Sequence, residues 1–177
     1  LSPTCEETGF LGTKYYVEHP LFPIEKVAAV INLDVFPLWG ENNDVTITGY
    51  GNSDLDSTLA VLAKPYGRYI MPDPDAYNGM FYRSDHFPFV QRGVPAMFAK
   101  GWNDNRQHGK EWAKEQIAKY WAETYHKPTD QTHPESDDYS GLLQEVQLFF
   151  DLGYQLANEQ GYPKWNPKSE FANVLKR

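Results

Sequence analysis

The feature that most limits how this chain can fold is a nearly continuous apolar run, VAAVINL, at residues 27–33. Such a run is typical of a strand buried on both faces, as in the sheet of an α/β protein. A second strand is predicted at residues 44–50, where β-branched residues alternate with polar ones. Shorter strands are predicted at residues 68–71 and 94–99. The chain therefore supplies several strands to one sheet.

Helical segments separate these strands. The helices are predicted at residues 8–18, 54–63, 85–92, 110–124 and 142–159, with residues 72–79 as a loop. His19 and Pro20 end the first helix, and Ser53 is a plausible N-cap for the second. Alternating strands and helices predict an α/β fold, a three-layer α/β/α sandwich with a mixed, largely parallel central sheet.

Composition excludes several classes of function. The 177 residues suit one domain or most of one. A net charge of -8 argues against a nucleic-acid groove and against an anionic membrane surface. No apolar run approaches the roughly 18 residues of a membrane span, and the single cysteine, Cys5, excludes a disulfide framework. The aromatic content of 15% indicates either extensive aromatic packing or a pocket for apolar side chains.

Two adjacent carboxylates, Glu6 and Glu7, stand between Pro3 and the start of the first predicted helix. Neighbouring side chains diverge at such a junction, so one carboxylate can bind a metal while the other transfers a proton. The alternative interpretation is that both simply favour the positive end of the helix.

Asp34 and His126 are two further candidates. Asp34 follows the apolar run, at the edge where α/β sheets bind ligands, although a turn cap is the alternative. His126 lies in a loop after a predicted helix, where a neutral imidazole can bind metal and Asp130 can orient it. The alternative is a solvated loop histidine.

The remaining histidines have less context. Asp85 and His86 open a predicted short helix, where helix capping is an alternative to any role in a site. Surface positions are predicted for the other three, which are His19, His108 and His133.

Four segments, in this order, resemble the co-catalytic zinc aminopeptidases. They are TCEETGFLG at residues 4–12, NLD at 32–34, SDHFPF with GVPA at 84–96, and YHKPTD at 125–130. The resemblance spans nearly the whole chain. It is strongest to the C-terminal part of the catalytic domain in the bacterial leucyl aminopeptidase and glutamate carboxypeptidase II-like group of metallopeptidase clan MH.

The resemblance implies a metal-dependent exopeptidase that removes N-terminal residues from peptides and uses two zinc ions. It implies Glu6 as the general base, Tyr125 as an oxyanion stabiliser and Asp85 as the source of a supporting hydrogen bond. The zinc ligands that it implies in this chain are Glu7, Asp34 and His126. A secreted or periplasmic location is favoured by the resemblance alone.

Such enzymes also use an upstream histidine and a bridging aspartate, and the matching region would precede Leu1. We therefore expect residues 1–177 to be the C-terminal part of a single catalytic domain, inactive alone and prone to self-association. Two alternatives stay open. One is a single-zinc glutaminyl-cyclase-like acyltransferase, although that branch usually has Trp where this chain has Tyr125. The other is a non-catalytic homologue without a complete metal site.

Overall fold

The computed structural model describes residues 1–174. Its centre is a four-stranded sheet whose strands lie in the order β1-β4-β2-β3. The strands are β1 Val30–Asn32, β2 Asp44–Thr48, β3 Tyr69–Pro72 and β4 Ala96–Lys100. β1 pairs with β4 and β2 with β3 in parallel, whereas β2 and β4 are antiparallel. The predicted α/β class with a mixed, mostly parallel sheet is confirmed.

Burial differs sharply between the central and the edge strands. Every residue of β2 and β4 is buried, as expected for strands with a neighbour on each side. The apolar run at 27–33 was predicted to be buried on both faces, and this prediction is wrong. Its strand β1 is only three residues long and half-buried, and Leu33 is exposed, because β1 lies at the edge of the described sheet.

Each predicted helix is present with shifted ends. They are α1 Leu11–Glu18, α2 Leu55–Ala63, α3 Phe87–Val90, α4 Gly109–Glu123 and α5 Ser140–Asn158. α1 starts later than predicted because Gly9 and Phe10 adopt left-handed backbone, with φ of 91° and 61°. Ser53 is not the N-cap of α2, because Asp54 holds that position and Ser53 forms a bridge with Trp165.

Helices cover both faces of the sheet. On one face, Leu55 and Leu59 of α2 and Leu148 of α5 pack against the buried side chains of β2 and β4. On the other face, α3 and α1 contribute Val90 and Val17 to smaller apolar clusters. Full burial of one such side chain stabilises the fold by roughly 1.5–3 kcal/mol. The result is the three-layer sandwich predicted from the sequence.

The topology determines which loops meet. β1 and β4 run parallel in the register Asn32↔Phe98, so the loops that follow them leave the sheet at one edge. The turn before α1 and the loop after α4 come to the end of β1, because residues from these two segments and from the loop after β1 line one cavity there. None of the helices in the described residues is long and apolar enough to span a membrane.

Candidate metal and active site

A cavity of about 630 Å³ lies beyond the end of β1. Of the site residues predicted from the sequence, all but Asp85 line it, namely Glu6, Glu7, Asp34, Tyr125 and His126. These residues come from three separate segments of the chain. The fold thus brings together side chains that are more than a hundred residues apart in sequence.

Glu7 and His126 form the closest contact in the cavity. Glu7 Oε1 and His126 Nε2 are 2.8 Å apart, and both side chains are largely exposed. The imidazole stacks on the neighbouring Tyr125 ring, with 3.8 Å between the ring centroids. The loop is held to the end of α4 by Thr129, whose hydroxyl donates to the Glu123 carbonyl at 2.7 Å. A carboxylate and an imidazole in direct contact can share a cation or a proton.

Asp130 was predicted to orient His126. It lines the same cavity, but no hydrogen bond joins it to His126 within residues 1–174. Its carboxylate acts on Tyr120 instead, because burial first and then Asp130 raise the pKa of the Tyr120 phenol. The His126 ring is therefore oriented by Glu7 and Tyr125.

Glu6 is less exposed than Glu7 and occupies a tight turn. Its backbone carbonyl accepts hydrogen bonds from the amides of Gly9 and Phe10 at 3.0 and 2.9 Å. Burial, and then repulsion by other carboxylates, raises the pKa of Glu6 to about 7. The carboxylates that raise it belong to Glu7, Asp34 and Asp85, and His126 opposes them. A carboxyl group that titrates near neutrality is suited to accept a proton and then return it.

Asp34 is held by a short relay that the sequence analysis missed. The Ser84 hydroxyl donates to Asp34 Oδ2 at 2.6 Å, and Asn32 Nδ2 donates to Ser84 Oγ at 2.8 Å. Since the amide of Asn32 occupies a lone pair of Ser84, the single hydroxyl proton is directed at Asp34. Ser84 is only 2% exposed. The signal was present in the SDH and NLD segments, where Ser84 and Asn32 stand beside predicted site residues.

Asp85 lies outside the residues that line the cavity. Its Oδ1 accepts a hydrogen bond of 2.5 Å from the hydroxyl of Thr13, which is fully buried in α1. This bond connects helix α1, and with it the turn that carries Glu6 and Glu7, to the segment that carries Ser84. Asp85 therefore supports the site through α1.

Backbone strain concentrates at the cavity. Within residues 1–174, the non-glycine residues with positive φ are Cys5 (60°), Phe10 (61°), Val35 (53°) and His126 (56°). They flank the glutamate pair, follow Asp34, or are themselves candidate ligands. Each such residue costs on the order of 1–3 kcal/mol, and strain of this kind persists mainly at functional sites.

The donor groups fit zinc by chemical type. Zinc binds imidazole nitrogen and carboxylate oxygen, and Glu7, Asp34 and His126 supply these atoms. Glu7 and His126 are already in contact, and Asp34 lines the same cavity. In the part of the chain that the structure describes, no group of three or more His, Cys, Asp or Glu side chains is clustered closely enough to hold a metal ion. The arrangement is thus a ligand pair with a third candidate nearby.

A second cavity of about 260 Å³ adjoins the first and shares Val35, Phe36, Tyr120 and Asp130 with it. Its other walls include the apolar side chains of Leu38, Trp39 and Trp102. Part of the high aromatic content therefore lines a pocket beside the candidate site, in addition to packing in the core.

One comparison with known proteins gives a match. The model of peptidase family M28 matches residues 1–150, a range that contains every candidate site residue. Searches of curated proteins and of solved structures gave no significant match.

Proposed function

Because the chain belongs to peptidase family M28, we propose that it functions as a zinc-dependent aminopeptidase. The family establishes a metal-dependent peptidase that binds peptide substrates. The finer proposal is an enzyme of the bacterial leucyl aminopeptidase and glutamate carboxypeptidase II-like group, in clan MH. It is supported above all by the contact of Glu7 with His126 on a cavity that Glu6 and Asp34 also line.

We assign the metal-binding role to three side chains, Glu7, Asp34 and His126, and expect two zinc ions in the active enzyme. When bound, zinc lowers the pKa of water and polarises the scissile carbonyl. The chain's own contribution is to hold these ligands in place. Ser84 fixes the Asp34 carboxylate, and the Tyr125 ring supports the imidazole of His126.

Proton transfer is assigned to Glu6. Its carboxylate takes a proton from the attacking water and returns it to the leaving amine, a role that contributes on the order of 10²–10⁴ in rate. Burial, and then the charges of Glu7 and Asp34, raise the pKa of Tyr125. The phenol therefore stays protonated at neutral pH and can donate a hydrogen bond to the oxyanion that forms on the substrate.

The charge of the cavity supports attack at the N-terminal end of a peptide. Of the four acidic residues in its lining, Glu6, Glu7, Asp34 and Asp130, the last is assigned neither to zinc nor to proton transfer. The Asp130 carboxylate can attract the free α-ammonium group of a peptide. The neighbouring apolar pocket lies where an adjacent side chain could be accommodated.

A single-zinc acyltransferase of the glutaminyl-cyclase type is the second candidate. It is favoured by one observation, that only one pair of candidate ligands is in contact in the described residues. Zinc content per active chain separates the two proposals, since two ions support the aminopeptidase and one supports the acyltransferase.

For residues 1–177 taken alone we propose a more limited behaviour. We expect at most one weakly bound zinc ion, no peptidase activity and self-association. The apolar residues Leu143, Val146 and Phe150 lie on α5 at helical spacing and are exposed, which favours association. Two tight zinc sites by calorimetry, on a chain that light scattering shows to be monomeric, would refute this proposal.

Hydrolysis of aminoacyl-nitroanilides by the natural protein, with and without a chelator, tests the main proposal. We expect hydrolysis that disappears when elemental analysis shows the metal removed, and that returns when zinc is added. Unchanged hydrolysis after complete metal removal would exclude the metal-dependent mechanism.

A further inference from the structure

Arg83 is a cation without a partner at the edge of the candidate site. It lines the 630 Å³ cavity, and it is the one Lys or Arg among the lining residues described. Its side chain is exposed and makes no ion pair or side-chain hydrogen bond within residues 1–174. The cavity thus presents one free guanidinium opposite several carboxylates.

The backbone around Arg83 is held firmly. Its own amide donates to the Met80 carbonyl at 3.0 Å. On one side, the Tyr82 hydroxyl donates to Glu170 Oε1 at 2.8 Å, and on the other side Ser84 is buried against Asp34. The backbone of Arg83 is therefore fixed beside the cavity, and its side chain is free to reach a ligand.

Arg83 shares its cavity with the residues assigned to catalysis. The lining includes Arg83 together with Tyr125 and His126. A substrate bound in this cavity can therefore contact the guanidinium as well as the candidate site.

Guanidinium groups bind carboxylates through two parallel hydrogen bonds. A peptide whose α-ammonium lies among the acidic residues would extend by about 3.3–3.6 Å per residue. A cavity of 630 Å³ is within the usual range for sites that enclose small ligands. A carboxylate one or two residues beyond the scissile bond would therefore be available to Arg83.

We propose that Arg83 is a specificity-determining residue that binds a substrate carboxylate and selects short peptides. The carboxylate belongs either to the C-terminus of a di- or tripeptide or to an acidic side chain after the scissile bond. This inference rests on the proposed function for the position of that bond.

Calorimetric titration of the natural protein, loaded with zinc, tests the assignment. The probes are leucyl-glycine with a reduced CH₂–NH bond, its C-terminal amide, and the corresponding leucyl-aspartate amide. In Arg83→Met we expect the free-carboxylate probe to bind about 10- to 100-fold more weakly, with the glycine amide unchanged. Arg83→Lys should recover part of the affinity, since lysine keeps the positive charge but cannot form the two parallel hydrogen bonds of a guanidinium group.

The aspartate probe identifies the source of the carboxylate. If it loses affinity in Arg83→Met, an acidic side chain is accepted, and if it does not, the C-terminus is recognised. Arg92→Met is the matched control, because Arg92 is exposed but does not line the cavity. Equal loss for acid and amide probes, or binding of neither acid probe, overturns the assignment.

Peptide hydrolysis by the natural protein, measured in parallel, separates the two proposals. Cleavage without any preference for carboxylates would leave the aminopeptidase proposal intact and refute the role of Arg83. Binding of the acid probes through Arg83 without cleavage of any peptide would support the role of Arg83 and refute the aminopeptidase proposal.

Discussion

Two clusters of charged side chains in this protein are organised in opposite ways. The first, formed by Arg68, Glu145 and Asp44, is buried between the sheet and α5. Arg68 donates to both carboxylate oxygens of Glu145, at 3.2 and 2.6 Å, and to the Asp44 carbonyl at 2.6 Å. The Gly101 amide donates to Glu145 at 2.7 Å. Nearly every donor and acceptor of this cluster has a partner inside the protein.

The Asp44 carboxylate shows the same saturation. It accepts hydrogen bonds from the Thr46 hydroxyl at 2.7 Å and from the amides of Asn103 and Asp104 at 3.0 and 2.8 Å. Burial raises the pKa of Asp44, and these hydrogen bonds oppose that effect. This cluster positions the loop after β4.

The second cluster, at the cavity, is exposed and incomplete. Among the lining residues that the structure describes, one direct contact joins a carboxylate to an imidazole, that of Glu7 with His126, whose side chains are 69% and 52% exposed. The backbone beside it is strained at several positions. The comparison teaches that charges saturated by internal partners maintain the fold, whereas charged groups with few internal partners are available to a ligand.

The largest effect is expected in the second cluster, from substitutions that replace one carboxylate oxygen by an amide nitrogen. We expect Glu6→Gln to reduce turnover by on the order of 10²–10⁴ while zinc stays bound, because only the proton acceptor is lost. Glu7→Gln, the adjacent control, should weaken zinc binding instead. Steady-state kinetics and zinc content of the natural protein measure both effects. Zinc loss in Glu6→Gln with zinc retained in Glu7→Gln would mean that the two roles are reversed.

Substitutions in the buried cluster should change the stability of the fold. We expect Arg68→Met to lower the free energy of unfolding by about 3–5 kcal/mol, because it leaves the Glu145 carboxylate buried without its counter-ion. Urea denaturation followed by circular dichroism measures the change.

The double variant Arg68→Met with Glu145→Leu sharpens this test. Removing both charges should restore at least about half of the lost stability, although the Gly101 amide would then lack its acceptor. A double variant less stable than Arg68→Met would show that the carboxylate stabilises the fold without the arginine.

His86 is buried like the first cluster and incompletely hydrogen-bonded like the second. Its substitution should have the smallest effect, on the pH dependence of stability. His86 is fully buried, yet neither ring nitrogen makes a hydrogen bond in the described structure. Burial lowers its pKa from 6.5 to about 4, although the nearby Phe81 backbone opposes the shift. The unfolded chain therefore binds a proton more readily. Stability from this group is complete above about pH 6.5 and should decline as the pH falls towards 4, by up to about 1.4 kcal/mol per pH unit.

His86→Phe is the matched variant, because the ring already lies 5.0 Å from the rings of Phe81 and Phe98. The variant should lack this part of the pH dependence between 6.5 and 4. Urea denaturation at a series of pH values measures the slope, and identical slopes in the two proteins would show that His86 does not titrate on unfolding.

The secondary structure could be predicted because local pattern determines most of it. β2 and β4 follow from β-branched and apolar residues, and α5 follows from helical spacing. Two features could not be predicted from local sequence, because they depend on tertiary structure. The half-burial of β1 results from its edge position in the sheet, and the delayed start of α1 results from left-handed backbone at Phe10, a non-glycine residue.

The site was predictable to the extent that its residues have distinctive neighbours. Glu6, Glu7, Asp34 and His126 stand in recognisable segments, and the structure places all of them on one cavity. Ser84 was not assigned because its role depends on a contact with a loop fifty residues away. Arg83 and the strained backbone were missed for the same reason, since their relation to the cavity depends on how separate segments come together in the fold.

The strained backbone at Val35 has opposite consequences for stability and for activity. Val35 follows Asp34 directly, and its φ of 53° is poorly tolerated by a β-branched residue. Replacement by Gly would remove a conformational penalty of about 1–2 kcal/mol, while allowing the adjacent carboxylate to move. A variant library selected for heat resistance should therefore accumulate Val35→Gly, and a library selected for turnover should discard it.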